Sequence, residues 1–171
     1  WEIAPSGVTI SATKGSGTKL KKNNKDFAKD GETVTLKTTG CLSLDKTGNG
    51  GKVTIPVVGK SKVTLAFQNN NNKRGFTVKT TSATISEQNV VPYNSGVKVE
   101  EADATLALSN DSKTLTLTVK GHTENSSEVL ASYDELVTFT VSEKDTLTFE
   151  ATDGDSGGAV YLYYIKVEAA D

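Results

Sequence analysis

The chain has 171 residues, a formal net charge of −2 at pH 7, 35% hydrophobic residues, one cysteine and no methionine. Because its lysines and carboxylates are interspersed, it has no basic patch for nucleic acid or an anionic membrane surface. No apolar run approaches the roughly 18–20 residues that insertion into a membrane requires. The length fits one domain, 1–171, with its own hydrophobic core, and we expect a monomer.

Alternating apolar and polar residues, typical of half-buried strands, recur along most of the chain. In chain order the predicted strands are 8–10, 34–36, 52–58, 62–67, 75–80, 105–108, 115–119, 136–141, 146–149 and 159–167. Clusters of glycine, asparagine, aspartate and serine separate them, as in hairpins and short loops. Helix content is predicted to be minor, with a helical turn or two at 127–136. The pattern predicts an all-β fold, an antiparallel β-sandwich of jelly-roll type.

The last predicted strand is the most apolar of the chain. Strict alternation places its residues on two faces: Ala159, Tyr161, Tyr163, Ile165 and Val167 on one, and Val160, Leu162 and Tyr164 on the other. A strand that is apolar on both faces is covered on both sides. We therefore expect it to be central in its sheet, with residues 8–10 as a candidate neighbour.

Cys41 is the only cysteine, so the chain has no internal disulfide and no cysteine-based zinc site. It is followed by Leu42 and Leu44 in a stretch that reads as a strand. A cysteine in such a setting behaves as a small hydrophobic residue. The sequence therefore predicts a buried structural thiol.

Residues 154–158 spell Gly-Asp-Ser-Gly-Gly, the sequence around the nucleophile of trypsin-like serine proteases. That chemistry needs a histidine base beside the serine and an aspartate that orients the histidine. The single histidine, His122, lies in a polar stretch that does not match the histidine motif of those proteases. We therefore interpret Ser156 as part of a turn and expect a protein that is not an enzyme.

The segment between the predicted strands 62–67 and 75–80 is the strongest candidate for ligand contact. Asn69, Asn71, Lys73 and Arg74 supply amide, ammonium and guanidinium groups, which make directional contacts with sugar hydroxyls and carboxylates. Tyr93, in the polar stretch Val-Pro-Tyr-Asn-Ser-Gly, is the preferred exposed ring for stacking on a sugar. The alternative is a solvated, turn-compatible segment without a ligand.

Asp153 and Asp155 form an alternating acidic pair just before the last predicted strand. Alternating carboxylates are one way of building a calcium site, but the series does not extend back to Ala151. They are therefore weak candidates for a structural calcium ion, and no cofactor is expected.

Two stretches resemble β-jelly-roll accessory modules of secreted bacterial polysaccharide lyases and glycoside hydrolases. The first runs from Ser-Lys-Val-Thr-Leu-Ala-Phe at 61–67 through the asparagine-rich segment to Lys-Arg-Gly-Phe-Thr-Val at 73–78. The second is Gly-Gly-Ala-Val-Tyr-Leu-Tyr-Tyr-Ile-Lys-Val at 157–167. The resemblance implies a strand, a small-polar loop ending in arginine and a further strand, followed much later by a glycine-led closing strand.

The resemblance implies a non-catalytic carbohydrate-binding module, secreted or displayed at the cell surface, whose partner is a polysaccharide or glycan. Arg74 is the contact that it transfers most directly, and Tyr164 is the second. The alternative function is a bacterial surface adhesin or protein-interaction domain that binds a host or surface protein. Edge strands and the lysine-rich segment 19–25 would then make the contacts.

Overall fold

A computed structural model of the chain describes residues 11–12, 18–21, 25–27, 36–38, 40–44, 52–69, 75–93, 104–119, 133–152 and 160–171. Within these ranges the chain forms fourteen β-strands and no helix. None of the described residues belongs to a helix that is long and apolar enough to cross a membrane. The predicted helical turn at 127–136 is wrong for its last four residues, which belong to a strand, and 127–132 lie outside the described ranges.

The strands in chain order are β1 Ser11–Ala12, β2 Thr18–Lys21, β3 Lys25–Phe27, β4 Leu36–Thr38, β5 Cys41–Leu44, β6 Lys52–Val57, β7 Ser61–Asn69, β8 Phe76–Lys79, β9 Ile85–Tyr93, β10 Ala104–Leu108, β11 Thr114–Val119, β12 Tyr133–Val141, β13 Asp145–Ala151 and β14 Val160–Ala169.

The described strands form two six-stranded sheets and one small pair. The first sheet has the order β1-β6-β13-β8-β11-β10, the second has the order β2-β5-β14-β7-β12-β9, and β3 pairs with β4. Every pairing is antiparallel. Buried residues of both large sheets belong to one hydrophobic core. The predicted all-β, antiparallel sandwich is confirmed.

The strand pairings are nested along the chain. In the second sheet β5 pairs with β14, and β14 pairs on its other side with β7, which also pairs with β12. In the first sheet β6 pairs with β13, and β13 pairs with β8, which also pairs with β11. The prediction that the last strand is central is confirmed. Its neighbours are β5 and β7, whereas residues 8–10 lie outside the described ranges.

Three phenylalanine rings of the core contact one another between the two sheets. The ring of Phe67 on β7 meets that of Phe76 on β8 edge to face, with centroids 4.7 Å apart and an interplanar angle of 89°. The ring of Phe149 on β13 lies 6.3 Å from that of Phe76. Edge-to-face contacts add to the stabilisation that burial of the rings already provides. On the opposite face of the second sheet, Cys41 is fully buried, as predicted.

A β-bulge in β14 changes which tyrosines face the core. The register with β7 shifts between Leu162 and Tyr164, so one extra residue, Tyr163, interrupts the alternation. Val160, Leu162, Ile165 and Val167 belong to the central core, while Tyr161, Tyr163 and Tyr164 belong to a separate cluster on the other face of the sheet. The predicted division into two strictly alternating faces is therefore wrong beyond Tyr163, from Tyr164 onwards.

Asp145, the first residue of β13, holds the turn between β8 and β9. Its Oδ2 accepts backbone N–H bonds from Thr81, Ser82 and Ala83 at 2.8–2.9 Å, and its Oδ1 accepts one from Thr146 at 2.6 Å. Desolvation acts to raise the pKa of Asp145, but the backbone donors outweigh it and lower the pKa below the ordinary value. The carboxylate form is therefore the one that stabilises this turn.

Replacing Asp145 with alanine is expected to lower the free energy of unfolding at neutral pH by about 1–3 kcal/mol, because several backbone donors lose a charged acceptor. Since the folded pKa is depressed, this contribution is complete above the ordinary carboxyl pKa of about 3.9 and is lost as the pH falls through the folded value. Urea unfolding of the wild type and the variant should therefore differ at neutral pH and converge as the pH falls through the folded pKa of Asp145.

Asp111→Ala is the matched control for this prediction. Asp111 also accepts a backbone N–H bond, from Lys113, but its partners Ser109 and Lys113 both lie within its own turn. Its removal should therefore cost less than removal of Asp145, which connects residues more than sixty positions apart. Equal losses in the two variants would contradict the assigned role of Asp145.

Candidate functional site

The strand registers bring several predicted ligand residues to one end of the second sheet. Asn69, the last residue of β7, is in register with Tyr133 on β12 and with Val160 on β14. Tyr93, the last residue of β9, is in register with Asp134, one residue further along β12. Because neighbouring strands lie about 4.8 Å apart, the backbones of Asn69 and Tyr93 are about 10 Å apart. We call this the candidate end of the sheet.

Apart from Tyr164, the other predicted site residues lie outside the described residues. Asn71, Lys73 and Arg74 follow Asn69 in the sequence, and Asp153 and Asp155 precede Val160. His122 and Ser156 also lie outside the described residues. Tyr93 closes strand β9 instead of lying in a loop, which corrects the interpretation of its surroundings.

The opposite end of the sandwich is built of short, hydrogen-bonded turns. Asp145 and Ser142 accept backbone N–H bonds from the turn between β8 and β9, including one from Thr84 to Ser142 Oγ at 2.9 Å. Ser109 Oγ accepts a bond of 2.9 Å from Thr114 N across the turn between β10 and β11.

Three tyrosines occupy the outward face of β14 below the candidate end. We call this surface of the second sheet, which carries Tyr161, Tyr163 and Tyr164, the tyrosine face. Tyr163 is buried, and its hydroxyl donates a hydrogen bond of 2.9 Å to the side-chain oxygen of buried Gln68. Tyr161 and Tyr164 are half-buried and pack against the same cluster. The buried pair of Tyr163 and Gln68 thus lies beside the partly exposed Tyr161 and Tyr164.

The register places four residues in one backbone row across the second sheet. Tyr161 is in register with Gln68, Gln68 with Asp134, and Asp134 with Tyr93. Gln68 belongs to the segment that the sequence singles out for ligand contact, but only the pairing of β7 with β14 reveals its connection to the tyrosines.

The lower half of the tyrosine face is polar. Lys166 Nζ lies 2.6 Å from Glu168 Oε1, and this hydrogen bond and charge raise the pKa of Lys166 above its ordinary value. Thr64 and Thr138, in register with Lys166 across β7 and β12, are half-buried. Thr140 Oγ1 on β12 donates a hydrogen bond of 2.7 Å to Glu87 Oε2 on the edge strand β9. Glu87 has a positive φ of 51°. The face thus passes from aromatic residues to hydroxyls and paired charges.

The described part of this face carries aromatic, amide and hydroxyl groups. Aromatic rings stack on the apolar faces of sugar rings, and hydroxyl and amide groups exchange hydrogen bonds with sugar hydroxyls. Among the described residues, no three histidine, cysteine, aspartate or glutamate side chains lie close enough together to hold a metal ion.

The fold defines the chain as an antiparallel β-sandwich. Comparison with protein-family models, with curated proteins and with solved structures found no match to it. The resemblance to bacterial carbohydrate-binding accessory modules therefore stays a prediction that rests on the sequence stretches quoted above.

Proposed function

We propose that the chain is a non-catalytic carbohydrate-binding module, secreted or displayed at a bacterial cell surface. The observation that carries the proposal is the tyrosine face, where half-buried Tyr161 and Tyr164 flank the buried hydrogen bond between Tyr163 and Gln68. A carbohydrate chain has apolar ring faces and hydroxyl rims. This surface offers aromatic residues, an amide and threonine hydroxyls side by side.

Rigid aromatic residues favour such binding because little conformational freedom is lost when the ligand arrives. Tyr163 and Gln68 are both buried, so their hydrogen bond holds the bulge at Tyr163, and Tyr161 and Tyr164 lie on either side of it in the strand. A shallow face leaves much of a sugar ring exposed to water, and each stacking contact contributes about 0.5–1.5 kcal/mol beyond area burial. Binding should therefore be weak for a single sugar and stronger for a chain.

The nested strand order supports the finer proposal of a jelly-roll topology. Among eight described strands, β5, β6, β7, β8, β11, β12, β13 and β14, the first pairs with the last and the second with the second last. Jelly rolls combine two Greek keys of this kind in two packed sheets and include many lectin domains. Because one fold hosts many functions, this topology supports the proposal only alongside the tyrosine face.

The test is a broad glycan array with and without calcium, followed by affinity electrophoresis of variants on any glycan that binds. Tyr161→Ala and Tyr164→Ala are each expected to weaken binding about two- to tenfold, the loss of one aromatic contact. Thr148→Ala, on the outward face of the first sheet, is the control and should bind as the wild type does. Thermal unfolding checks that all three variants fold.

A blank array would contradict the proposal, as would full binding by the doubly substituted Tyr161→Ala, Tyr164→Ala protein. Retention of a host or surface protein by the immobilised chain, together with a blank array, would favour the adhesin alternative. Calcium-dependent binding would direct attention to Asp153 and Asp155.

A further inference from the structure

Strand β10 forms one edge of the first sheet, and β11 is its only partner among the described strands. Its register with β11 is regular over all five residues. Thr105 and Ala107 are exposed on the outward face, while Leu106 and Leu108 are partly buried against the core. The strand contains no charged residue and no proline. A regular, uncharged edge of this kind is a template on which a further strand can pair.

The backbone of β10 directs half of its polar groups away from β11. Ser109, the residue after the strand, donates its N–H to Thr114 O at 2.9 Å. In an antiparallel pair, residues that exchange hydrogen bonds alternate with residues that do not. Counting back along the register, Ala107 and Thr105 bond to β11. The residues whose N–H and C=O groups face the open edge are therefore Ala104, Leu106 and Leu108.

The other described edge strands carry features that oppose the addition of a strand. β1 has two residues, and β2 has two lysines, Lys19 and Lys21, among its four residues. In β9 the register with β12 shifts, and exposed Glu87 has a positive φ. Short length, charged residues and bulges are the usual means by which proteins protect sheet edges. Among the described edge strands, β10 alone combines ordinary length with a regular register and no charge.

We infer that the open edge of β10 binds an extended, uncharged segment of a partner protein, which adds a strand to the first sheet. In this mode of recognition, main-chain hydrogen bonds supply the affinity and side chains at alternate positions supply the specificity. Apolar residues of the segment would contact Leu106 and Leu108, which the core covers only in part. Small or hydroxyl residues between them would lie beside Thr105 and Ala107.

The size of this edge favours a single segment over a second copy of the chain. Stable interfaces between folded proteins use about 20–30 residues on each side, whereas β10 offers five. A single extended segment needs no such area, because its hydrogen bonds are made with the strand alone. An uncharged segment fits because β10 has no charged residue with which a charged one could pair.

The experiment follows amide hydrogen exchange of the full, isotope-labelled chain by NMR, with and without a synthetic peptide. The peptide carries the sequence of β11, Thr-Leu-Thr-Leu-Thr-Val, between soluble glycine and serine ends, because β11 has the required alternation. The peptide is expected to slow exchange at Ala104, Leu106 and Leu108. Exchange at Thr105 and Ala107, which already bond to β11, should not change. The control peptide has proline in place of both leucines and cannot donate the same hydrogen bonds.

Leu106→Pro, compared with Leu106→Ala, tests the hydrogen bond from the edge. Both variants lose the leucine side chain, but only proline also removes the N–H that faces the edge. Because that N–H does not bond to β11, proline is compatible with the sheet at this position. Leu106→Pro is expected to bind the β11 peptide about two- to tenfold more weakly than Leu106→Ala, the size of one hydrogen bond. Thermal unfolding checks that both variants fold, and if Leu106→Pro does not, the exchange pattern of the wild type decides.

Equal binding of the peptide by folded Leu106→Pro and Leu106→Ala would overturn the inference. The same conclusion would follow if the peptide did not bind, or if it protected amides of β2 or β9 instead of β10. Protection of the β10 amides that rises with protein concentration, without peptide, would show that a second copy occupies the edge and would overturn the choice of occupant. These outcomes are independent of the carbohydrate proposal, because the tyrosine face belongs to the second sheet.

Discussion

Replacing Gly75 with alanine is expected to lower the free energy of unfolding by about 3 kcal/mol or more, at the upper end of the cost of overpacking. A methyl group on Gly75 would overlap the carbonyl oxygen of Leu117 and lie 2.9 Å from its carbonyl carbon. Those atoms belong to the backbone of β11 and cannot rotate away. Gly75 also exchanges two hydrogen bonds with Thr152, so the strand cannot shift without losing them.

Gly59→Ala is the matched control, because no atom lies within 4 Å of the methyl group that it would add. Its stability should be unchanged or raised by up to about 1 kcal/mol through a less flexible unfolded chain. Urea unfolding of both variants measures the difference in stability. The dependence of the unfolding free energy on urea concentration is compared as well, because a change in it would indicate a change in the denatured state. Similar midpoints for the two variants would mean that the close approach at Gly75 is wrong.

Phe67→Ala is expected to destabilise the protein by about 3–5 kcal/mol, the range for deleting a buried phenylalanine ring. Phe67 is fully buried, and its ring supplies the edge-to-face contact with Phe76 that joins the second sheet to the first. The cavity would lie between two strands that are central in their sheets, where the surrounding structure can collapse least. A large decrease in the thermal unfolding temperature should follow.

Val58→Ala provides the control for Phe67→Ala. Val58 is 80% exposed in the turn between β6 and β7, so its removal should change stability by no more than about 0.5 kcal/mol. If Phe67→Ala unfolded at the same temperature as Val58→Ala, the assignment of Phe67 to the core would be incorrect.

Strands with unbroken alternation could be predicted from the sequence. In β6, Val53, Ile55 and Val57 are buried and the residues between them are half-buried. Leu115 and Leu117 of β11 are buried in the same way. In these strands every second side chain contacts the core, so the alternation of apolar and polar residues is visible in the sequence. The all-β sandwich and the central position of the last strand follow from such segments.

Strands that contain bulges could not be predicted as well. In β9, Ile85 is buried but the next four residues, 86–89, are all exposed, and the register with β12 shifts beside them. Glu87 there has a positive φ without the glycine that would have signalled it. The segment therefore shows no period of two, and no strand was predicted at 85–93. Because of the bulge at Tyr163, the alternation predicted the wrong face for Tyr164, Ile165 and Val167.

The candidate site was only partly accessible to sequence analysis. Residue chemistry selected Asn69 and Tyr93, and the resemblance selected Tyr164. Strand register brings the backbones of Asn69 and Tyr93 to one end of a sheet. The hydrogen bond between Gln68 and Tyr163 joins residues 95 positions apart. No local pattern signals such a pair, since it depends on which strands are neighbours. Pairing of β7 with β14 is a property of the whole topology.

The course of β14 determines how the protein should be mounted for binding measurements. The strand starts at Val160 at the candidate end and runs ten residues to Ala169, a distance of about 30 Å. Ala170 then donates a backbone hydrogen bond to Lys60 in the turn region of the opposite end. A biotin or fluorophore attached after Asp171 would therefore orient the candidate end towards the solution. Random coupling through lysine would instead modify Lys166 and Lys62 on the tyrosine face itself.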